Sequence, residues 1–381
     1  MKFERLNYPH LEPAPQWWRV SPEAIGEEMA GIRRGRVDVI ARTPLNYPVY
    51  RVVYHDEPAE EKRQSNWSSA SYSTNCRAYQ TRRGMKQTVC LLAGIHGAEP
   101  EGVAGCLNVI SLLERGCDLR GQENPELLNL LRAYRLVILP CVNMDGRAVS
   151  PDHLRGCSFE EFRNASQGSW ADGSLIGWLG SKEYFPLPLE RVRFPGGYPN
   201  SEGYNIMHDA SPGNLRTAEA KGVLETVEAY EVDFLLNLHS GSEIPMVCAP
   251  GNLNYPENIR RGRRICRECH TALMTAGLRP SVSELPAEAS NALTLNTLIT
   301  LASGALALTV ELPARGPATF DERLEAQYVI LKTALADGLR TPFADAPARI
   351  AAWSWKRCAP ERACSARTSI SASSPPASST K

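Results

Sequence analysis

Thr88-Val89-Cys90-Leu91-Leu92-Ala93-Gly94-Ile95-His96-Gly97-Ala98-Glu99 is an apolar run that stops in an imidazole, a glycine and, three residues after the imidazole, a carboxylate. A short apolar run of this kind reads as a strand, and a strand that ends in Gly-Ile-His-Gly brings His96 and Glu99 to one point at the sheet edge. A nitrogen and an oxygen donor placed together there can grip zinc.

Two later segments have the same form. Asp233-Phe234-Leu235-Leu236-Asn237-Leu238-His239-Ser240-Gly241 and Ala307-Leu308-Thr309-Val310-Glu311-Leu312 are apolar runs that end in a reactive polar residue. With Arg36 to Ala41, Pro48 to Tyr54, Tyr134 to Cys141 and Pro245 to Ala249, periodicity predicts about seven strands. Helical stretches lie between them at residues 101–115, 125–133, 216–228, 258–276 and 320–339, and Ser21-Pro22-Glu23 opens a further helix over 21–34 with a serine cap and proline at the first helical position. Strand and helix mostly alternate. That order predicts an α/β three-layer sandwich, a sheet covered by helices on both faces with active residues at strand ends. The stretch from Val149 to Asp209 breaks the pattern, and a loop system that long inside a domain is expected to wall a binding cleft.

The 381 residues are 43% hydrophobic, enough for a substantial core, and carry 42 basic and 42 acidic side chains. A formal charge of zero gives no electrostatic case for nucleic acid or a membrane surface, so a peptide or small amide ligand is expected. The 11 cysteines are odd in number and lie partly inside apolar runs, which reads as reduced thiols in a cytoplasmic protein. Cys266-Arg267-Glu268-Cys269 has no second pair at zinc-ribbon spacing and reads as a helix-face coincidence. No apolar signal segment follows Met1, and no stretch approaches the roughly 18 apolar residues of a membrane span. From about Thr341 the composition turns to Ala, Pro, Arg and Ser, so one domain over 1–340 and a disordered low-complexity tail over 341–381 are expected.

A hydrolytic zinc site takes three protein ligands and leaves a position for water, and His2Glu is a common set. His96, Glu99 and His239 supply it. Zinc-bound water loses a proton near neutral pH, and a carboxylate must accept that proton and pass it to the leaving amine; Glu311 is the candidate general base. Read alone, His96 and Glu99 also suit a helix N-terminus, where the dipole favours a carboxylate. An unpaired carboxylate at the end of an apolar strand, as at Glu311, has little structural use because its burial is costly. His208 beside Asp209 reads either as a pH-sensitive substrate contact or, the favoured reading, as an ordinary hydrogen-bonded pair, and Asp145 as a turn residue. Trp170, Trp178, Tyr184 and Phe185 either line a pocket or pack the loop.

The order His-x-x-Glu, strand-end His239 and strand-borne Glu311 resembles the zinc carboxypeptidase family, and Asn143-Met144-Asp145-Gly146 is similar to that family's Asn-Pro-Asp-Gly turn. The resemblance spans about residues 21 to 340. It implies a mixed, roughly eight-stranded sheet between helices, one catalytic Zn2+ per chain, and hydrolysis of a peptide or amide bond. Gly203-Tyr204-Asn205-Ile206-Met207-His208-Asp209 departs from the family's Gly-Val-Asp-x-Asn-Arg-Asn: Met207 and His208 stand where the Asn-Arg pair would hold a substrate carboxylate, and Asn205 replaces the Asp that supports a zinc histidine. An amide can still accept the imidazole N–H. The second carboxylate-binding arginine falls nearest Arg155, with Arg147 and Arg163 as rivals, and would stabilise the oxyanion. The family's mobile tyrosine has no counterpart between Asn291 and Val310. The alternatives are a deacylase or amidohydrolase acting on N-acyl amino acids or small amides, to which the His-Gly-x-Glu opening is similar, and a member that binds its ligand without hydrolysis.

Overall fold

The computed structural model describes residues 3–56, 86–250, 254–281 and 293–343. Nine strands are formed there: β1 (Arg36–Arg42), β2 (Pro48–Tyr54), β3 (Thr88–Ala93), β4 (Arg135–Leu139), β5 (Ser169–Trp170), β6 (Val192–Phe194), β7 (Phe234–Ser242), β8 (Met246–Cys248) and β9 (Leu306–Pro313). β3 is buried along its whole length, and its side chains divide by parity: Val89, Leu91 and Ala93 join one apolar cluster, Cys90 and Leu92 another. A strand apolar on both faces has to be covered on both, and helices do this.

The main sheet has the order β1-β2-β4-β3-β7-β9-β8, with β5 and β6 forming a separate ribbon. The inner strands β4, β3, β7 and β9 are parallel, whereas β1, β2 and β8 join antiparallel. The sheet is therefore mixed, as expected, with the seven strands that periodicity predicts among the described residues rather than eight. One face is covered by α1 (Pro22–Gly31), α2 (Pro100–Arg115), α3 (Pro125–Arg132), α8 (Pro256–Thr275) and α10 (Phe320–Arg340); the other by α7 (Ala218–Ala229) and α9 (Leu295–Ser303). α1 starts where Ser21 caps it, the hydroxyl accepting from the Ala24 N–H at 3.2 Å. Beyond α10, Phe343 stacks on Phe234 of β7 with centroids 4.4 Å apart. The rest of the expected tail, 344–381, lies outside the described residues.

The stretch from Val149 to Asp209 folds as short pieces, among them α5 (Phe159–Gln167), α6 (Gly177–Glu183) and the β5–β6 ribbon; it follows α4 (Met144–Val149). Cys90, Cys106, Cys141 and Cys269 are buried free thiols. No helix of the described residues is long and apolar enough to cross a membrane.

Candidate metal centre and cleft

His96 and Glu99 lie in the turn between β3 and α2, and His239 lies in β7, the parallel neighbour of β3. Glu99 sits between the two rings: the Nδ1 atoms of His96 and His239 lie 2.9 and 2.8 Å from its two oxygens. All three residues are buried, and one candidate ligand atom from each falls within 4.8 Å of the others. Among the described residues the His239 Nε2 has no partner, while the His96 Nε2 faces the Asn205 Oδ1 at 3.3 Å. Burial alone would raise the Glu99 carboxyl, yet the flanking imidazoles hold it well below the usual range. Burial lowers His96; at His239 the Glu99 carboxylate outweighs burial and raises the ring. Two imidazoles and a carboxylate, buried together with a ring nitrogen left unpaired, fit a zinc ion.

The backbone reaches this geometry through three glycines. A Cβ at Gly97 would lie 2.1 Å from the Gly146 carbonyl carbon, one at Gly146 would lie 2.5 Å from the Gly197 oxygen, and one at Gly197 would lie 2.6 Å from the Ala98 nitrogen. The β3–α2 turn, the 143–146 turn and the Gly197 loop thus stack backbone on backbone. Asn143 joins two of them, its Oδ1 accepting from the Gly146 N–H and its Nδ2 donating to the Tyr198 carbonyl, both at 2.9 Å. Tyr198 is carried in this way onto His96, with ring centroids 3.9 Å apart and planes nearly parallel. Burial, then Glu99 and Glu311, push its phenol well above the ordinary value. Sequence reading missed Tyr198, whose only local signal is the preceding Gly196-Gly197 pair.

Glu311 pairs with His239 across the parallel β7–β9 register. Burial, opposed by His239 and reinforced by Glu99, raises its carboxyl to about 7. Another carboxylate, Glu101, lies behind the centre: it accepts from Ser240 Oγ and from Arg323, the latter at 2.7 Å, and so fastens the end of β7 to α2 and α10.

A cleft of about 500 Å³ opens beside the centre and is lined by the three candidate ligands and Glu311. The long loop walls it, as expected, through Phe162, Arg163, Trp178, Lys182 and Tyr198, and Met207 and His208 line it too. The His208 ring is pushed down to about 4 by burial and then by His96 and Lys182. Its neighbour Asp209 does not pair with it; the carboxylate accepts from the N–H groups of Arg216 and Thr217 and from the Thr217 hydroxyl. Arg155 is not brought to the centre: its guanidinium donates to Glu12 at 2.8 Å and to the Ala318 carbonyl at 3.1 Å, away from the cleft lining. Arg147 is fully buried on the Ser150 carbonyl. Among the described residues Arg163 is the arginine that reaches the cleft. Of the loop aromatics Trp178 lines the cleft, while Trp170 packs on Tyr184 and Phe185 on Tyr204.

The model of the zinc carboxypeptidase family matches residues 36–276. The fold is similar to that of a metallo-carboxypeptidase from Burkholderia cenocepacia, at TM-score 0.55 and 14% identity over 82% of this chain and 68% of that one. It is also similar to bovine thrombin-activatable fibrinolysis inhibitor, solved in complex with tick carboxypeptidase inhibitor, at TM-score 0.51 and 15% identity over 86% of this chain and 99% of that one. A search of curated proteins finds no significant match. With the family model covering well over half of its length, and with two histidines and a glutamate grouped where they could hold a metal ion, the chain belongs to the zinc carboxypeptidase family, a family of zinc-dependent hydrolases.

Proposed function

We propose that this chain hydrolyses a peptide or amide bond in the cleft, with His96, Glu99 and His239 holding one zinc per chain and Glu311 moving the proton. When bound, zinc supplies a Lewis acid and lowers the pKa of a water at the site. The observation that carries the reading is Glu311 itself. It is a half-buried carboxyl beside His239 in register, lining the cleft, with no hydrogen-bond donor among the described residues. A base raised to about 7 can both accept a proton and return it near neutral pH. Asn205, opposite the His96 Nε2, orients that imidazole.

Glu311→Gln is the direct test. The amide keeps the size of the side chain and cannot take a proton, so turnover is expected to fall by about 100- to 10,000-fold while metal content stays at one zinc. A variant that hydrolyses peptides at the wild-type rate removes Glu311 from the mechanism.

The cationic side of the cleft favours a substrate that carries a carboxylate. Arg163 and Lys182 line it without an acidic partner among the described residues, both resting on Trp178, with the Lys182 Nζ 3.7 Å from the ring centroid. An N-acyl amino acid is the second reading. It is favoured by the wall at Met207 and His208, which offers a thioether and an imidazole neutral at pH 7. Matched peptides with free and amidated C-termini, run beside N-acyl amino acids, separate the two: a carboxypeptidase cleaves the free-carboxylate peptide, whereas a deacylase cleaves the N-acyl amino acid and neither peptide.

A further inference from the structure

Away from the metal centre the cleft extends along β9. Glu311, Thr309 and Ala307 alternate with core residues and line one continuous wall. At about 3.3 Å per residue, Thr309 lies about 7 Å along the strand from Glu311, and Ala307 about 13 Å. β8 forms the side of this arm, because Met246 pairs with Glu311 and Cys248 with Thr309. The start of α9 forms its roof with Thr294 and Asn296.

The polar groups of the arm are tied into a fixed ladder. Asn237 Nδ2 donates to Asn296 Oδ1 at 3.0 Å, and Asn296 Nδ2 donates to Thr309 Oγ1 at 3.0 Å. That ladder leaves the Thr309 O–H proton without an acceptor among the described residues, and Asn296 keeps a second amide hydrogen and a second carbonyl lone pair. None of Thr294, Asn296, Ala307, Thr309, Met246 and Cys248 is charged, so a charge entering the arm finds no counter-ion there.

We propose that this arm is a selectivity pocket for an uncharged polar side chain about the length of glutamine, read by Thr309 and Asn296. The proposal rests on cleavage taking place beside Glu311. A carboxamide of that length can accept from Thr309 and exchange a hydrogen bond with Asn296. A methionine of the same length leaves those groups unpaired once water is displaced, and so binds more weakly. A glutamate or lysine side chain is desolvated with no opposite charge, which is more costly still.

The test is equilibrium binding by calorimetry of the N-acetyl derivatives of glutamine, methionine, glutamate and lysine to the zinc-loaded protein. It is paired with hydrolysis of peptides that carry the same four residues next to the cleaved bond. Glutamine is expected to bind about tenfold or more tighter than the other three, the factor that corresponds to about 1.4 kcal/mol. Thr309→Val should bring glutamine and methionine to within about threefold of each other, and Thr309→Ser, which keeps the hydroxyl, should restore the preference. Equal binding of methionine or of either charged ligand, a preference unchanged in Thr309→Val, or no binding of any of the four overturns the proposal. Glutamine-selective binding without hydrolysis of any peptide supports the pocket and rejects the hydrolase reading. Hydrolysis without a glutamine preference does the reverse.

Discussion

At the N-terminus of α7, Glu219 is 1% exposed, with one oxygen accepting from Asn200 at 3.1 Å and the other unpaired among the described residues. Burial, helped by Asp145 and Glu202, raises its carboxyl to about 7. In the unfolded chain the same group ionises near 4.3. A carboxyl whose folded pKa lies above its unfolded value contributes stability in full below the unfolded value and loses it as pH rises through the folded one. Between pH 5 and 8 the wild type should therefore lose on the order of 3 kcal/mol that Glu219→Gln keeps, because the amide oxygen still accepts from Asn200. Urea titrations at the two pH values measure this; equal losses in both proteins would show that Glu219 does not set the slope. Glu311 has the same direction of shift for a different consequence. Its carboxylate is the active form of a base, so activity should rise with pH through an acid limb lying between the usual carboxylate range and about 7.

Among the elements, the turn after β3 depends on the three stacked glycine backbones. Gly97→Ala drives a methyl into the backbone of Gly146 and Arg147, which cannot move aside as a side-chain tip can. Overpacking of this kind costs about 1–3 kcal/mol, occasionally more, and here the strain falls on the residue next to His96. The expected result is a folded protein, by circular dichroism, with a lower Tm and zinc affinity reduced by at least about tenfold; unchanged zinc affinity in Gly97→Ala would show that the stack does not position His96. The Asn143-Met144-Asp145-Gly146 segment reads in the sequence as a turn, and in the fold it is the N-cap and first turn of α4. Its contribution, Asn143 holding the backbone at Tyr198, was not legible there, because that contact joins residues 55 apart through a loop without periodicity.

For the whole molecule, the donor set is assembled from segments 140 residues apart, His239 meeting Glu99 only when β7 lies beside β3. Metal that binds only the folded state stabilises it by mass action, by about 4 kcal/mol at a free concentration a thousandfold above its Kd. Zinc should raise the thermal midpoint by several degrees and a chelator should reverse the rise, while His96→Ala should show neither effect in differential scanning calorimetry. A zinc-dependent rise that persists in His96→Ala would place the ion elsewhere.

The strands, most of the helices and the residues of the candidate metal group could be picked out in the sequence, since apolar runs and their period report burial locally and a polar residue at the end of such a run has few structural uses. His96, Glu99, His239 and Glu311 stand together once β3, β7 and β9 lie side by side. Which arginine enters the cleft was decided by tertiary structure alone: Arg155 and Arg163 lie in the same aperiodic stretch, yet Glu12 takes the first and the aromatic faces of Phe159, Phe162 and Trp178 hold the second. The Tyr198 stack and the Asn296–Thr309 ladder likewise depend on register and on close backbone approach between distant segments, and a linear pattern of residue types encodes neither distance.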